Sequence, residues 1–538
     1  MRKKLLALLT AALLVTSGCN EDILDVRNQS AYDDATYFTS ATTFNEGIIA
    51  IYSCLLMPGL HSRDSYFIFD LLGGDATNNV FLLGDLAQLQ DYSFGSSQPQ
   101  LQALWRNLYR MVLRSNLMLD RLEDWSPTVA SEQNLKTQFV GEAKFLRGYA
   151  NFMLVSLWGR VPLRLDFNEN INNAPRAPVA EVWAAVEADF TDAVASLPVA
   201  QTGNNLGRAS RGAAVAMLGK SFLYQEKYPE AQAEFQKLLA TPYAYSLDAN
   251  YDNLFSSKNG GSPEMVFNVV HGPWQGWGVG NAFYMFGGQE AWGGRATHSG
   301  RAQEYGWNDW NNVFASDALV GAFKYPNEAG QTYTDPRAKL TFYGDAASGG
   351  DTDFCQTCPP STRRPIPVYV SDSTRGGPFR YPFNSTNTVR YNWRKYCIYE
   401  TREQSELPQS DINTILIRFA DVKLMLAEAL IFQNRMSDAL TQINDVRRRV
   451  SAFEYTSLGT QANAVTILQR ERQIELAGEQ HRWFDLVRWG AAKQVLNAEK
   501  RRQLNREPFE DKHVLLPIPQ LERDSNPLVN NDVANQWN

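Results

Sequence analysis

Two segments of the chain, Leu218–Leu238 (LGKSFLYQEKYPEAQAEFQKL) and Leu426–Val446 (LAEALIFQNRMSDALTQINDV), superpose without a gap. Phe222 meets Leu430, Gln225 meets Gln433, Ala231 meets Ala439 and Phe235 meets Ile443. Each copy reads as helix, short turn, helix, with small residues where the two helices touch. Such a unit cannot bury its apolar face alone. It needs neighbouring helix pairs stacked on either side. The copies lie far apart in sequence, so the scaffold must be interrupted by inserted material.

Further helices fit the same plan. Tyr37–Leu56 can form one, ended near Pro58-Gly59. Leu101–Trp125 and Glu132–Trp158 are long and amphipathic, with Leu104, Leu108, Met111 and Ser115 on one stripe of the first. Gly159 and Pro162 stop the second, and Pro178–Leu197 is closed by Pro198. This is tetratricopeptide-like chemistry. The expected fold is mainly α, a tetratricopeptide-like helical-repeat scaffold with a large irregular, loop-rich insertion carrying short strands. The segment Asp70–Phe94 reads as turn-rich with little helical period.

The densest polar stretch is Glu471–Gly490, ERQIELAGEQHRWFDLVRWG. Glu471 and Glu475 stand at i,i+4, a like-charge spacing that disfavours an isolated helix. Arginines must neutralise them, and Arg472, Arg482, Arg488 and Arg447–Arg449 are the candidates. A carboxylate–histidine catalytic cluster is one reading. No nucleophile or metal spacing surrounds it, so an ion-pair network clamping helices is preferred.

This stretch resembles the C-terminal signature of the SusD/RagB family of outer-membrane nutrient-binding lipoproteins. FVGEAKFLRGYANFMLVSLWGRVPL (139–163), IRFADVKLMLAEAL (417–430), INDVRRR (443–449) and LLPIPQLERDSNPLV (515–529) resemble the family in the expected order. Asp335-Pro336-Arg337 and the preceding helix Ala318–Phe323 resemble it again.

The N-terminus reads as an address. Arg2-Lys3-Lys4 precedes the apolar run Leu5–Val15, too short to span a bilayer and typical of a signal peptide. Thr16-Ser17-Gly18-Cys19 resembles a lipoprotein cleavage site, although Thr16 departs from the usual aliphatic residue. With Cys19 as the lipidated residue, the acidic Glu21-Asp22 just after it resembles the export signal that sends such lipoproteins to the outer face of the outer membrane. Without the three leader cations, 48 basic residues face 58 acidic ones, so nucleic acid is not an expected partner. The implied organisation is a leader at 1–18, a tether at 19–36, helical scaffold at 37–240, a ligand-binding insertion at 241–412 and scaffold again at 413–538.

Cys54, Cys355, Cys358 and Cys397 remain after Cys19. Cys355-Gln-Thr-Cys358 lies in a Gly/Asp/Pro-rich loop, where a local disulfide is favoured and a Cys397 link is the alternative. The segment 214–221 satisfies a Walker A pattern, yet it is Ala-rich helix and lacks a preceding strand. No HExxH, GxSxG or paired-histidine spacing occurs. No enzyme activity and no cofactor are expected. Asp351 and Asp353 would at most suit calcium.

The insertion is loop-rich, with one clear strand at Glu264–Val270. Its segment 271–312 holds Trp274, Trp277, Trp292, Trp307 and Trp310, five of thirteen tryptophans, among ten glycines. Indole faces stack under the C–H face of sugar rings, while interleaved Gln, Asn, Asp and Arg suit the hydroxyl rim. The family resemblance implies that the early loop Asp70–Phe94 completes the glycan surface. Trp307, Trp310 and Trp292 are therefore expected stackers, and Asp75, Asn78 and Asn79 expected hydroxyl contacts. The resemblance implies capture of oligosaccharide and delivery to a SusC-like TonB-dependent transporter. The alternatives are a peptide-capturing lid of the RagB type and a surface glycoside hydrolase, which would need two acids facing across the Trp cleft.

Overall fold

The computed structural model describes residues 37–78, 84–168, 174–256, 259–271, 301–305, 312–344, 347–351, 384–385, 388–389, 391–396, 412–499, 507–531 and 537. Helices dominate. Ala41–Tyr52 starts at Ser40, whose hydroxyl accepts from Thr43 N while Thr43 reaches back, a reciprocal cap. Pro99–Asp124 and Ala130–Trp158 follow as the long pair, then Val179–Ser196, Arg211–Tyr224 and Tyr228–Lys237. Each packs on the next in chain order. Leu104, Leu108, Met111 and Ser115 all lie buried on the first long helix, as the spacing requires.

The second repeat copy docks directly on the first. Phe419–Phe432 and Met436–Arg449 form its helices. Tyr228 stacks on Phe432 at 4.5 Å between ring centroids. Gln433 Nε2 donates to Tyr228 O at 3.2 Å and Gln232 Oε1 at 2.9 Å. The copies share their turn chemistry: Gln225 and Gln433 each donate to the carbonyl four residues back, at 2.9 Å in both. The next residues, Glu226 and Asn434, adopt φ of 59° and 58°. The Walker-like segment is scaffold. A Cβ at Gly219 would lie 2.7 Å from Phe235 Cε1, so this glycine lets the two helices of the unit close up. Lys220 is buried 3.7 Å from Asp421.

The insertion therefore leaves after one helix pair and returns into another that packs against it. Its strand Met265–Val269 pairs antiparallel with Thr414–Arg418, which leads straight into Phe419–Phe432. Other strands are short two-stranded ribbons. The chain end closes back on the scaffold: Leu516 N donates to Leu157 O at 2.7 Å, and Trp158 Nε1 to Pro517 O at 2.9 Å.

One expectation needs correction. Asp70–Phe94 is partly helical, because helix Asp64–Leu72 runs into it and Gly84–Asp91 is a second helix within it. All nine residues of Asp64–Leu72 are buried, so no polar stripe marks it as a helix. Cys54 is a buried free thiol. Cys19, Cys355, Cys358, Cys397 and Asp353 lie outside the described residues, and with them the lipidation, disulfide and calcium expectations. Asp351 accepts from Arg394 Nε at 3.0 Å.

Candidate ligand-binding site

The two segments expected to meet ligand are joined by one ribbon. Ala76–Asn78 pairs antiparallel with Val313–Ala315, with Asn78 opposite Val313. Residues 79–83 follow Asn78 directly, and 306–311 precede Asn312 and Val313. Both connections thus depart from the same end of the same ribbon. Asn79, Trp307 and Trp310 belong to them and, like Trp274, Trp277 and Trp292, lie outside the described residues.

The base of the 306–311 connection is firmly held. Asn312 N donates to Glu304 O at 2.8 Å, and its side-chain amide reaches the Glu304 carboxylate, tying the two ends together. Glu304 accepts from Arg63 Nε at 2.6 Å. In the short helix Arg301–Tyr305, Arg301 Nη2 donates to Asp70 Oδ2 at 2.5 Å and to Gly478 O. Its guanidinium lies 4.4 Å from the Tyr396 ring centre and 4.9 Å from that of Tyr305. Burial pushes the Asp70 carboxyl up, and Arg301 opposes the shift. On the other strand, Asn78 N donates to Gln90 Oε1 at 2.6 Å. Ser316 caps helix Asp317–Ala322 by accepting from Leu319 N, and donates to Gly74 O at 2.6 Å. Loops meant to hold a ligand lose less entropy on binding when their roots are fixed in this way.

Asp75 is not a rim contact. It is 2% exposed. Oδ2 accepts from Gly478 N and Oδ1 from Arg482 Nη1, both at 3.2 Å. Burial raises its pKa to about 6 against the pull of Arg482. Asp75 pins the ribbon to the Glu471–Gly490 stretch. Asn78 is half-buried at the ribbon end.

The Glu471–Gly490 stretch is an ion-pair hub. Glu471 meets Arg337 at 2.5 Å and Arg447 at 2.6 Å. Glu475 meets Arg337 at 3.0 Å, Arg418 at 2.7 Å, and Arg449. Glu479 takes Arg418 at 2.7 Å and Lys395 at 2.9 Å. Arg472 bridges Asp421 at 2.8 Å and Asp485 at 2.7 Å. Burial alone would push the Glu475 carboxyl up. Arg449, Arg418, Arg337 and Lys395 overcome it and hold the group well below the usual carboxylate range. Of the arginines the sequence suggested, Arg447 and Arg449 pair with these glutamates, while Arg448, Arg472, Arg482 and Arg488 take other carboxylates. Arg337 and Arg418 were not suggested, and they come from the insertion and its return strand. The hub fastens the insertion to the scaffold. Its charges are paired to one another, as a clamp between the two requires.

Two predictions arise here. Gly478 has φ +66°, and a Cβ would stand 2.6 Å from Trp393 Cζ3. Gly478→Ala is expected to cost about 1–3 kcal/mol, read from the denaturation midpoint, because the backbone disfavours a side chain and Trp393 must move. The second concerns His481, pulled down to about 4 by burial against the opposing attraction of Asp421, with Lys220 and Arg472 adding to the fall. An unfolded histidine binds its proton near pH 6.5. Between those values the unfolded chain holds more protons, so this group's contribution to stability is lost as pH falls from about 6.5 toward 4. Relative to His481→Gln, the wild type is expected to lose about 1–2 kcal/mol between pH 7.5 and pH 5.0 in urea titrations.

Known proteins place this architecture. The model of the SusD family matches residues 244–535, more than half of the chain. The chain belongs to the SusD family. A second model, described as starch-binding associating with outer membrane, matches residues 22–223. The SusD-like protein P25 of Formosa agariphila is 24% identical over 540 residues, covering 96% of each chain. A SusD-like carbohydrate binding protein from Bacteroides fragilis has the same fold, with a TM-score of 0.73, 21% identity and coverage of 92% of this chain and 100% of that one. A laminarin binding SusD-like protein aligns with a TM-score of 0.69 and 24% identity over 91% and 98% of the two chains. This SusD-family chain shares with them the helical scaffold, into which the ribbon and hub are built.

Proposed function

We propose that this SusD-family protein captures oligosaccharide at the end of the ribbon formed by Ala76–Asn78 and Val313–Ala315. The observation that carries the reading is the convergence of two connections there: one continues from Asn78 to Asn79, the other carries Trp307 and Trp310. Flat indole faces would stack on sugar rings and the asparagine amides would serve the hydroxyl rim. Trp292, Trp274 and Trp277, from the same aromatic stretch, would extend the surface. The laminarin binding relative supports the substrate class. In this reading the protein is lipidated at Cys19, faces the cell exterior and passes its ligand to a SusC-like TonB-dependent transporter. It performs no chemistry on the glycan.

Native affinity gels cast with a panel including laminarin, starch and xyloglucan test this. Retardation by at least one polysaccharide is expected, with no reducing ends released. Retardation by none would overturn glycan capture and turn attention to peptides.

A further inference from the structure

A cavity of about 370 Å³ lies between the helix Gln461–Glu475 and the strand Lys324–Pro326. Thr466, Gln469, Arg470 and Gln473 line it from one face of the helix, at i, i+3, i+4 and i+7. Tyr325 and Trp489 supply aromatic walls. Lys324 and Thr466 are exposed, so the cavity opens to solvent past them. Its size falls in the lower part of the range of small-molecule sites.

The charges lining it are unequal in one respect. Arg472 and Arg482 are each held by two carboxylates: Asp421 and Asp485 for the first, Asp75 and Glu499 for the second. Arg470 and Lys324 have no carboxylate partner among the described residues. Arg470 Nη2 donates to Tyr455 Oη at 2.8 Å, and its guanidinium stacks 4.1 Å from the Tyr325 ring centre. Stacking and one hydrogen bond fix the plane of the fork while leaving donors on Nε and Nη1 to spare. Lys324 Nζ spends one donor on Ala347 O. Two uncompensated cations beside amide and indole groups, in a chain of net charge −7, form a place for an anion that also carries hydroxyls.

We infer that this cavity is a second ligand site, taking an oxyanion-bearing sugar unit, a uronate or a sulfated residue, with Arg470 and Lys324 receiving the oxyanion. That the oxyanion rides on a sugar rests on the function proposed above; that the cavity accepts an oxyanion does not. The site is distinct from the ribbon end. Asp75 lines the cavity, whereas Asn78 and Val313–Ala315 at the ribbon do not.

Calorimetric titration of the full chain in detergent, with D-glucuronate, glucose 6-sulfate and glucose as probes, tests the inference. Saturable binding of glucuronate or glucose 6-sulfate is expected, at least ten-fold tighter than glucose, and the tighter of the two identifies the oxyanion. Arg470→Gln is expected to weaken it at least ten-fold. Thr466→Trp, at an exposed position, blocks the mouth without altering charge or core and is expected to do the same. Equal affinity for all three probes, or anion binding unchanged in both variants, would overturn the site. If that happens while polysaccharide still retards the protein in gels, the cavity inference alone fails. If the gels fail and anions still bind here, glycan capture at the ribbon fails.

Discussion

Arg418→Met is expected to destabilise the protein by about 3–5 kcal/mol, seen as a large fall in the urea midpoint. Arg418 is fully buried, and one guanidinium serves three carboxylates. Nη1 donates to Glu264 and Glu475, both at 2.7 Å, and Nε to Glu479 at 2.7 Å. Nη2 donates to the Glu475 carbonyl at 2.8 Å. Methionine fills much of the stem's volume but leaves these acids facing each other, with only Arg337, Arg449 and Lys395 to hold them. Losing a partner from a buried cluster costs more than the cluster gained by forming, because the remaining charges stay desolvated. The loss is expected to reach beyond the hub. Arg418 ends the strand that pairs with Met265–Val269 and opens the second repeat copy, so exchange protection should fall in both. An exposed pair such as Lys493–Asp511 makes the control, and Lys493→Met is expected to change little.

The second large effect is on binding. Trp307→Ala/Trp310→Ala is expected to abolish retardation by the glycan that retards the wild type, and to weaken calorimetric affinity by roughly ten- to a hundred-fold. Each stacked ring contributes about 0.5–1.5 kcal/mol beyond the area it buries, and two act together. Stability should hold, since the roots of the connection, Glu304 with Asn312 and Arg63, and Arg301 with Asp70, remain untouched. A double variant that folds, melts like the wild type and binds equally would remove these rings from the site.

The repeat was legible because helix pairing writes itself into local spacing: Ala231 with Phe235 and Ala439 with Ile443 recur at the same offsets, and all four are fully buried. The hub was legible in half. Glu471 and Glu475 announce a need for cations, and Arg447 and Arg449 were near enough in the chain to be suspected. Arg337 and Arg418 were not, because pairing across more than fifty residues leaves no period to read. The helix Asp64–Leu72 escaped for a different reason: buried on every side, it carries no stripe. Asp75 was named because the family resemblance put the whole Asp70–Phe94 segment at the glycan surface, whereas the fold buries its side chain against Gly478 and Arg482. Arg301 and Glu304, which anchor the root of the Trp307–Trp310 connection, went unnoticed; their only signal was a charged pair one turn ahead of an aromatic pair.

The most direct test of glycan capture at the ribbon is hydrogen–deuterium exchange of the full chain with and without the polysaccharide that retards it. Protection is expected in peptides spanning 76–83 and 301–315, with little change in the repeat helices. Protection elsewhere, with both of those peptides unchanged, would contradict the account.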